Sequence, residues 1–325
     1  MKVALTGVSG YLGQLVLPLL DKHQGVESIL GLDIVPCPFS SSKYLFQTAD
    51  VRTTDFKTLL AGTDVLYHLA FVVEPPKGMS IETIDEINIE GSKKVLQGAV
   101  AAGVSKIVFA SSIAAYGSHA DNPEALTEDS PLRPNADWYY SRAKGKIETF
   151  LDELQGQHPE IAVVRFRPST FLGPCIRNPV GDLYASRVLV GLKKGYSIDH
   201  CWDEDVAEAF VLALEYPGSG AFNLAGGNPI TLDDAGRLLG KKVIYLNQGA
   251  VSLFVRMAAS LGVVPQGIRD WVDVATRGSI LVSADRAKEQ LGWKPRFDSA
   301  GALLEFSRQR CLLRGGKASG KAGSQ

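Results

Sequence analysis

Residues 6–13 decide the fold of this 325-residue chain and read Thr6-Gly7-Val8-Ser9-Gly10-Tyr11-Leu12-Gly13. A short apolar run precedes this stretch and an apolar pattern of helical period follows it, so its glycines lie in a strand-to-helix turn. Glycines permit a tight turn and let the backbone approach a pyrophosphate, which the positive N-terminus of the following helix favours. The stretch therefore predicts a dinucleotide site in a β-α-β unit.

Asp33 strengthens this prediction, because it ends the next apolar run, twenty residues beyond Gly13. A carboxylate at this point accepts hydrogen bonds from the ribose hydroxyls of a dinucleotide and repels a 2′-phosphate. The residues that follow, Ile34, Val35 and Pro36, offer no cation to hold such a phosphate. NAD is therefore the expected cofactor, rather than NADP.

Short aliphatic runs alternate with longer helical patterns through the first half of the chain. This alternation is typical of parallel strands joined by helices, which wind right-handed into a doubly wound sheet. The predicted fold is α/β, a Rossmann-type doubly wound parallel sheet with a smaller C-terminal substrate-binding lobe. Strands are expected near 2–6, 28–33, 44–48, 64–69, 106–111 and 161–166, and helices near 11–22, 80–102 and 138–154.

The composition of the sequence changes near residue 171, after which glycine and proline residues separate the segments. We therefore expect residues 1–170 to form the NAD-binding domain, to which 200–226 return. Residues 171–199 and 227–313 are expected to form the substrate lobe.

Two segments near the C-terminus stand out by composition. The apolar stretch 251–264 is either a lobe helix over a ligand cleft or plain core. The tail 314–325 is small, polar and basic, so it buries too little apolar surface to offset its ordering entropy. We expect this tail to be disordered.

Charge and cysteine usage exclude several classes of protein. The 34 basic and 35 acidic side chains give a net charge of -1, which lacks the basic footprint of a nucleic-acid or anionic-membrane binder. The 4 cysteines show no C-x-x-C spacing, so neither a disulfide framework nor a metal site is expected. Neither a signal peptide nor an apolar run of membrane-spanning length is visible, which favours a cytoplasmic protein.

Tyr140 and Lys144 lie one helical turn apart at the start of a predicted helix, so both side chains can share one face. A tyrosine pKa near 10 must fall to about 7 for acid/base work at neutral pH, which takes about 4 kcal/mol. An ammonium about 4 Å away, at an effective dielectric of about 20, supplies about that much. Ser112 ends a predicted strand at the carboxyl edge of the sheet, where it can bind a substrate oxygen.

Further motifs follow one another along nearly the whole chain. They are Asp50-Val51-Arg52, His68-Leu69-Ala70, Asn88-x-x-Gly91, Ser111-Ser112 before Ala115-Tyr116-Gly117, Arg167-Pro168 before Gly173-Pro174, and Leu291-Gly292-Trp293-x-Pro295. Together with the glycine stretch and Tyr140-x-x-x-Lys144, they resemble the extended short-chain dehydrogenase/reductase superfamily, the NAD-dependent epimerase/dehydratase group.

The resemblance implies a role for each matched residue. Tyr140 would be the acid/base, Lys144 would tune its pKa and bind a ribose, and Ser112 would bind the substrate oxygen. The implied cofactor-binding set is Gly7, Gly10, Tyr11, Leu12, Gly13, Asp33, Asp50, Val51, Leu69, Ala70, Asn88, Tyr140, Lys144 and Pro168. For Asp50, which would hold the adenine, a plain loop cap is the alternative.

Two departures from the family pattern bear on function. Phe71 stands where the family usually has a second alanine after the His-Leu-Ala run, and the region 177–200 is short for a nucleotide-sugar site. The leading hypothesis is an NAD-dependent oxidoreductase that acts on a secondary alcohol or ketone and releases NADH. The alternatives are a nucleotide-sugar epimerase or dehydratase resembling UDP-glucose 4-epimerase, and a non-catalytic NAD-sensing interaction protein. A small-molecule substrate is the expected partner, and a homodimer through helices 80–102 and 138–154 is the candidate assembly.

Overall fold

The computed structural model describes residues 1–315 except for 74, 75, 77, 177, 248, 252, 254, 256, 258–271 and 273–276. Its strands are β1 (Lys2–Thr6), β2 (Ser28–Asp33), β3 (Tyr44–Thr48), β4 (Val65–His68), β5 (Lys106–Ala110), β6 (Ala162–Pro168), β7 (Thr170–Leu172), β8 (Val188–Gly191), β9 (Ser197–Ile198), β10 (His200–Trp202), β11 (Gly220–Leu224), β12 (Ile230–Thr231) and β13 (Lys242–Tyr245). Its helices include α1 (Tyr11–Lys22), α2 (Phe56–Leu59), α3 (Ile81–Asp85), α4 (Ser92–Ala101), α5 (Tyr139–Gln157), α6 (Pro179–Ala185), α7 (Asp203–Leu212), α8 (Leu232–Leu239), α9 (Asp285–Leu291) and α10 (Ser299–Gly315).

A seven-stranded parallel sheet forms the centre of the molecule, in the order β11-β6-β5-β4-β1-β2-β3. The chain builds the sheet outward from β1 in both directions, since β2 pairs with β1 on one side and β4 pairs with it on the other. Ligands of open α/β sheets bind at such a switch point, beyond the carboxyl ends of the strands. The prediction of a Rossmann-type doubly wound sheet is confirmed.

Helices cover both faces of this sheet, because successive side chains of a strand point to opposite faces. Val3 and Leu5 of β1 pack into the cluster that contains residues of α1 and α7. Ala4, between them, packs into the opposite cluster, together with residues of α4 and α5. Packing on both faces holds the strands in place, so the carboxyl edge of the sheet positions the side chains of the site.

The helical segment predicted over 80–102 is confirmed, with one irregular turn inside it. The helical backbone runs without a gap through α3, a π-helical turn at Glu86–Gly91, and α4. Within this turn the Asn88 amide donates to the Val72 carbonyl oxygen at 3.0 Å and accepts from the Val72 backbone N–H at 2.8 Å. Apolar periodicity cannot reveal this irregular turn, since the partner of Asn88 lies in another part of the chain.

Residues beyond β6 form three additional two-stranded pairs, β7 with β10, β9 with β12 and β8 with β13. A separate core cluster includes Leu172, Trp202, Leu303 and Phe306 and ties these pairs to α10. In contrast, β11 joins the central sheet beside β6. The division into two lobes at the boundaries given above stays a proposal.

Two segments singled out by composition fall largely outside the described residues. Of the apolar stretch 251–264, only a few positions are described. Helix α10 extends to residue 315, two residues into the predicted disordered tail, and residues 316–325 are not described. Among the residues that are described, none of the helices is long and apolar enough to cross a membrane.

Two buried histidines make the fold sensitive to acid. Burial lowers the pKa of His68 to about 3 and that of His200 to about 4. The unfolded chain therefore takes up two protons below about pH 6.5 that the folded chain rejects, so stability falls as the pH falls. Burial of Asp199 has the opposite effect on stability, because it raises the pKa of that carboxyl to about 6 in the folded state. The folded chain takes up a proton there at a higher pH than the unfolded chain does, which offsets the effect of one histidine.

We expect the free energy of unfolding to fall less steeply with falling pH in the His68→Gln variant than in the parent. Near pH 5 the difference in slope should be about 1.4 kcal/mol per pH unit, because the unfolded variant takes up one proton fewer. Urea unfolding at several pH values between 4 and 7 measures this slope. The matched control is His158→Gln, whose side chain lies at the surface. Equal slopes for the parent and His68→Gln would show that His68 is protonated in the folded chain.

Candidate active site

The three predicted catalytic residues meet at the carboxyl edge of the central sheet. Ser112 follows β5, and its hydroxyl accepts a hydrogen bond from the Ala114 backbone N–H at 3.1 Å, which caps a short 3₁₀ turn. Tyr140 and Lys144 lie on the first two turns of α5. The Ser112 hydroxyl lies near enough to the Tyr140 hydroxyl to act on its pKa. The acid/base candidate and the candidate for substrate binding are therefore neighbours.

Burial controls the ionisation of Tyr140 and Lys144. It raises the pKa of Tyr140, and the hydrogen bond with Ser112 lowers it only in part. Burial also lowers the pKa of Lys144 to about 7, against the opposing charge of Glu148. Lys144 Nζ lies 5.7 Å from the centre of the Tyr140 ring, so these two side chains are neighbours on α5.

A buried ion network underlies the site and was not anticipated from the sequence. Glu148 lies one turn beyond Lys144 on α5, with a fully buried side chain. Its carboxylate accepts hydrogen bonds from Ser111 Oγ at 2.5 Å and from Arg167 Nε at 2.8 Å. Burial acts to raise the pKa of Glu148, but the hydrogen bonds and charge of Arg167 outweigh it and hold that pKa below its usual range.

This network extends away from α5 toward the edge of the sheet. Arg167 also donates to the Tyr116 hydroxyl at 2.8 Å, and that hydroxyl donates to Asn223 Oδ1 at 2.8 Å. It therefore joins α5, β5, β6 and β11 beneath Ser112 and Tyr140. The signal in the sequence is a glutamate four residues after Lys144 and an arginine in β6, which is too weak to pair them in advance.

The glycine turn has the shape that a pyrophosphate needs. Gly7 adopts a φ of 73°, and a Cβ there would lie 2.5 Å from the Ala70 backbone nitrogen. A Cβ on Gly13 would lie 2.4 Å from the Gly7 carbonyl oxygen, so both glycines are required by close packing. At exposed Gly10 an added Cβ would meet only the Gly7 carbonyl oxygen, at 3.2 Å. This cradle, open at the N-terminus of α1, fits the pyrophosphate of NAD.

Asp33 lies beside the cradle at the end of β2. Its Oδ2 accepts from the Ser9 backbone N–H at 3.0 Å, and its Oδ1 accepts from the Ile34 N–H at 2.7 Å. These bonds hold the carboxylate next to the glycine turn, as a ribose-binding role requires. In contrast, Asp50 bonds the side chain and backbone of Arg52, with Arg52 Nη2 at 2.7 Å from Asp50 Oδ2. Asp50 acts as a loop cap here, and its contact with adenine stays a proposal.

Other members of the predicted cofactor set are spread along the carboxyl edge of the sheet. Ala70 packs directly against Gly7, and the adjacent Leu69 joins the core cluster on the α1 face. Val51 contacts Gly91 of the π-helical turn. Pro168 ends β6, whereas Leu12 continues the turn into α1.

Tyr11 points away from the cradle. Its hydroxyl donates to a carboxylate oxygen of Asp203 at the start of α7, and its ring stacks on Phe171 with centroids 6.3 Å apart. Gly173 packs against both members of this hydrogen bond. The side chain of Tyr11 therefore ties α1 to α7 and β7.

We expect this protein to bind NAD at least about 10-fold more tightly than NADP, a difference of about 1.4 kcal/mol, because Asp33 repels the 2′-phosphate. Calorimetric titration with each dinucleotide measures the ratio. Asp33→Ala should narrow it, and the control Asp129→Ala, at a surface carboxylate, should leave it unchanged. NADP binding as tight as NAD binding would remove Asp33 from the ribose site.

Comparisons with known proteins place these features in context. The profile of the NAD dependent epimerase/dehydratase family matches residues 3–225. A 3-beta-hydroxysteroid dehydrogenase of Mycolicibacterium neoaurum is 26% identical, covering 94% of this chain and 90% of the relative. A UDP-glucose 4-epimerase of Mycolicibacterium smegmatis is 25% identical, covering 95% of this chain and 99% of the relative.

Solved structures agree in fold. The UDP-glucuronic acid 4-epimerase from Bacillus cereus, determined in complex with NAD, superposes with a TM-score of 0.72 over 96% of this chain and 99% of that one, at 19% identity. The crystal structure of gox2253 superposes with a TM-score of 0.71 over 95% and 98% of the chains, at 24% identity. At these identities the likeness shows the fold alone. Among the described residues, no cluster of potential metal ligands was found.

Proposed function

The chain belongs to the NAD-dependent epimerase/dehydratase family, and from that membership we propose that it oxidises a secondary alcohol to a ketone and releases NADH. The observation that carries the proposal is the convergence of Ser112, Tyr140 and Lys144 beside the glycine cradle. As members of an NAD-dependent family, such chains are enzymes of the oxidoreductase type. This membership argues against a non-catalytic NAD-sensing protein.

Each of the three residues has a distinct task in this proposal. When bound, NAD supplies an acceptor for the hydride on the substrate carbinol carbon. Ser112 donates a hydrogen bond to the substrate oxygen and keeps it beside Tyr140. The Tyr140 phenolate oxygen takes the hydroxyl proton, and Lys144 stabilises the phenolate by its charge.

Burial of the site sets a requirement on this proton transfer. Because burial raises the pKa of Tyr140, the phenolate needs nearby positive charge to form near neutral pH. Protonated Lys144 carries such a charge, and the oxidised nicotinamide of NAD would add a second. The low exposure of Lys144, about 3%, keeps its ammonium out of bulk water, where its field would be screened.

One observation favours net release of NADH over an epimerase cycle. Two cations that could clamp a sugar diphosphate near the region 177–200 are already engaged. Lys193 Nζ donates to the Arg277 carbonyl oxygen at 2.8 Å, and Arg310 donates to the Ile176 carbonyl oxygen at 2.7 Å.

A nucleotide-sugar epimerase is the second candidate function. The UDP-glucose 4-epimerase from M. smegmatis aligns over 95% of this chain, at nearly the same identity as the dehydrogenase. In that case the reduced cofactor would stay bound until the hydride returned to the sugar. The homodimer through α4 and α5 and a cytoplasmic location also remain proposals.

The test is to incubate the protein with NAD and a panel of UDP-sugars and hydrophobic secondary alcohols. Absorbance of free NADH and chromatography of the sugars are followed together. We expect NADH to accumulate with a hydrophobic alcohol and the UDP-sugars to remain unchanged. Interconversion of a UDP-sugar without stoichiometric NADH would replace this proposal by the epimerase.

A further inference from the structure

The aromatic ring of Phe71 covers the ammonium of Lys144. Phe71 follows β4 closely, at the carboxyl edge of the sheet. Lys144 Nζ lies 3.6 Å from the centre of the Phe71 ring, which is the geometry of a cation–π contact. The same ring meets the Tyr140 ring edge-on, with centroids 5.5 Å apart and an interplanar angle of 89°. Phe71 therefore contacts two of the three proposed catalytic side chains.

This contact uses part of the hydrogen-bonding capacity of Lys144. An ammonium has three N–H donors and no acceptor. One donor goes to the Ala110 carbonyl oxygen at 2.7 Å, and the face of Phe71 covers another. One direction remains for both the Tyr140 hydroxyl and the ribose of a bound dinucleotide.

Phe71 is held in place by the segment that follows it. The Asn88 side chain bonds both backbone groups of Val72, and Asn88 is itself buried. The Phe71 ring also packs against the core cluster on the α4 and α5 face. The Phe71 ring is thus held in a defined position in the site by the π-helical turn that carries Asn88.

We propose that Phe71 shields the Lys144 ammonium from the nicotinamide ribose and so loosens the grip on the cofactor, allowing NADH to leave after each turnover. This inference rests on the proposed function, since only a net dehydrogenase must release its reduced cofactor. It assigns Phe71 the part of a positioning residue that acts through Lys144. A smaller residue here would leave two ammonium donors for the ribose hydroxyls.

The test compares NADH binding to the parent, Phe71→Ala, Lys144→Met and the double variant. Fluorescence titration gives the Kd, and stopped-flow displacement gives the dissociation rate. We expect Phe71→Ala to bind NADH about 10-fold more tightly, mostly through slower dissociation. In the Lys144→Met background the same substitution should give no tightening, because the ammonium that it uncovers is absent.

A control truncation and a stability check accompany these variants. Leu59→Ala removes a partly buried apolar side chain from the same cluster, on α2, and should leave the Kd for NADH unchanged. Thermal unfolding confirms that each variant is folded. Folded Phe71→Ala that binds NADH no more tightly, or tightening that persists without Lys144, would overturn the inference. A parent protein that fails to bind NADH would instead overturn the proposed function.

Discussion

Replacing Tyr140 with phenylalanine is expected to lower kcat/KM by at least about 100-fold, because general acid/base catalysis contributes about that much or more. The substitution removes the transferable proton and little volume. The ring keeps its neighbours, Phe71 at 5.5 Å and Trp138 at 5.8 Å between centroids. Folding and NAD affinity should therefore survive while turnover collapses.

Steady-state kinetics and calorimetric NAD titration test this prediction together. Tyr139→Phe is the matched control, since it removes the hydroxyl of the adjacent tyrosine on the same helix and should keep the parental rate. If Tyr140→Phe stayed within about 10-fold of the parental rate, worth only about 1.4 kcal/mol of barrier, another group would have to be the acid/base.

The second large effect concerns stability. We expect Glu148→Ala to lower the free energy of unfolding by about 3–5 kcal/mol, because it leaves buried Arg167 without its carboxylate and leaves buried Arg165 with Asp152 alone. Urea denaturation measures the loss. Ser111 would also lose its acceptor, so the strand end that leads to Ser112 should loosen and activity should fall with stability.

Glu90→Ala provides the comparison, since it breaks the exposed pair of Glu90 with Lys93 on the neighbouring helical segment. Exposed pairs of this kind contribute about 0–1 kcal/mol. A loss below about 1 kcal/mol for Glu148→Ala would mean that water or a rearranged side chain compensates the two arginines.

Local patterns explain why much of the fold was predictable from sequence. The six strands β1–β6 and the helices α1 and α5 follow from apolar periodicity within about a dozen residues. This periodicity is a property of the local sequence and can be read without the rest of the chain. The shared face of Tyr140 and Lys144 follows from helical spacing in the same way. Geometry that depends only on neighbours in the chain can be inferred without the rest of the protein.

The remaining features depend on contacts between distant segments. Within the π-helical turn Asn88 bonds Val72, and the Tyr11 side chain bonds Asp203 across 192 positions of sequence. The cation–π contact of Phe71 with Lys144 likewise joins two distant segments. The bond of the Lys144 ammonium to the Ala110 carbonyl oxygen also joins separate segments. No periodicity or spacing records such pairings.

The fate of the transferred hydride tests the central claim most directly. The best alcohol from the substrate panel is deuterated at its carbinol carbon and incubated with NAD and the protein. The protein is then removed by filtration, and the free cofactor is analysed by mass spectrometry. The account predicts deuterated NADH in the filtrate, equimolar with the ketone product. Deuterium found only in an isomerised substrate, with no labelled NADH in solution, would contradict it.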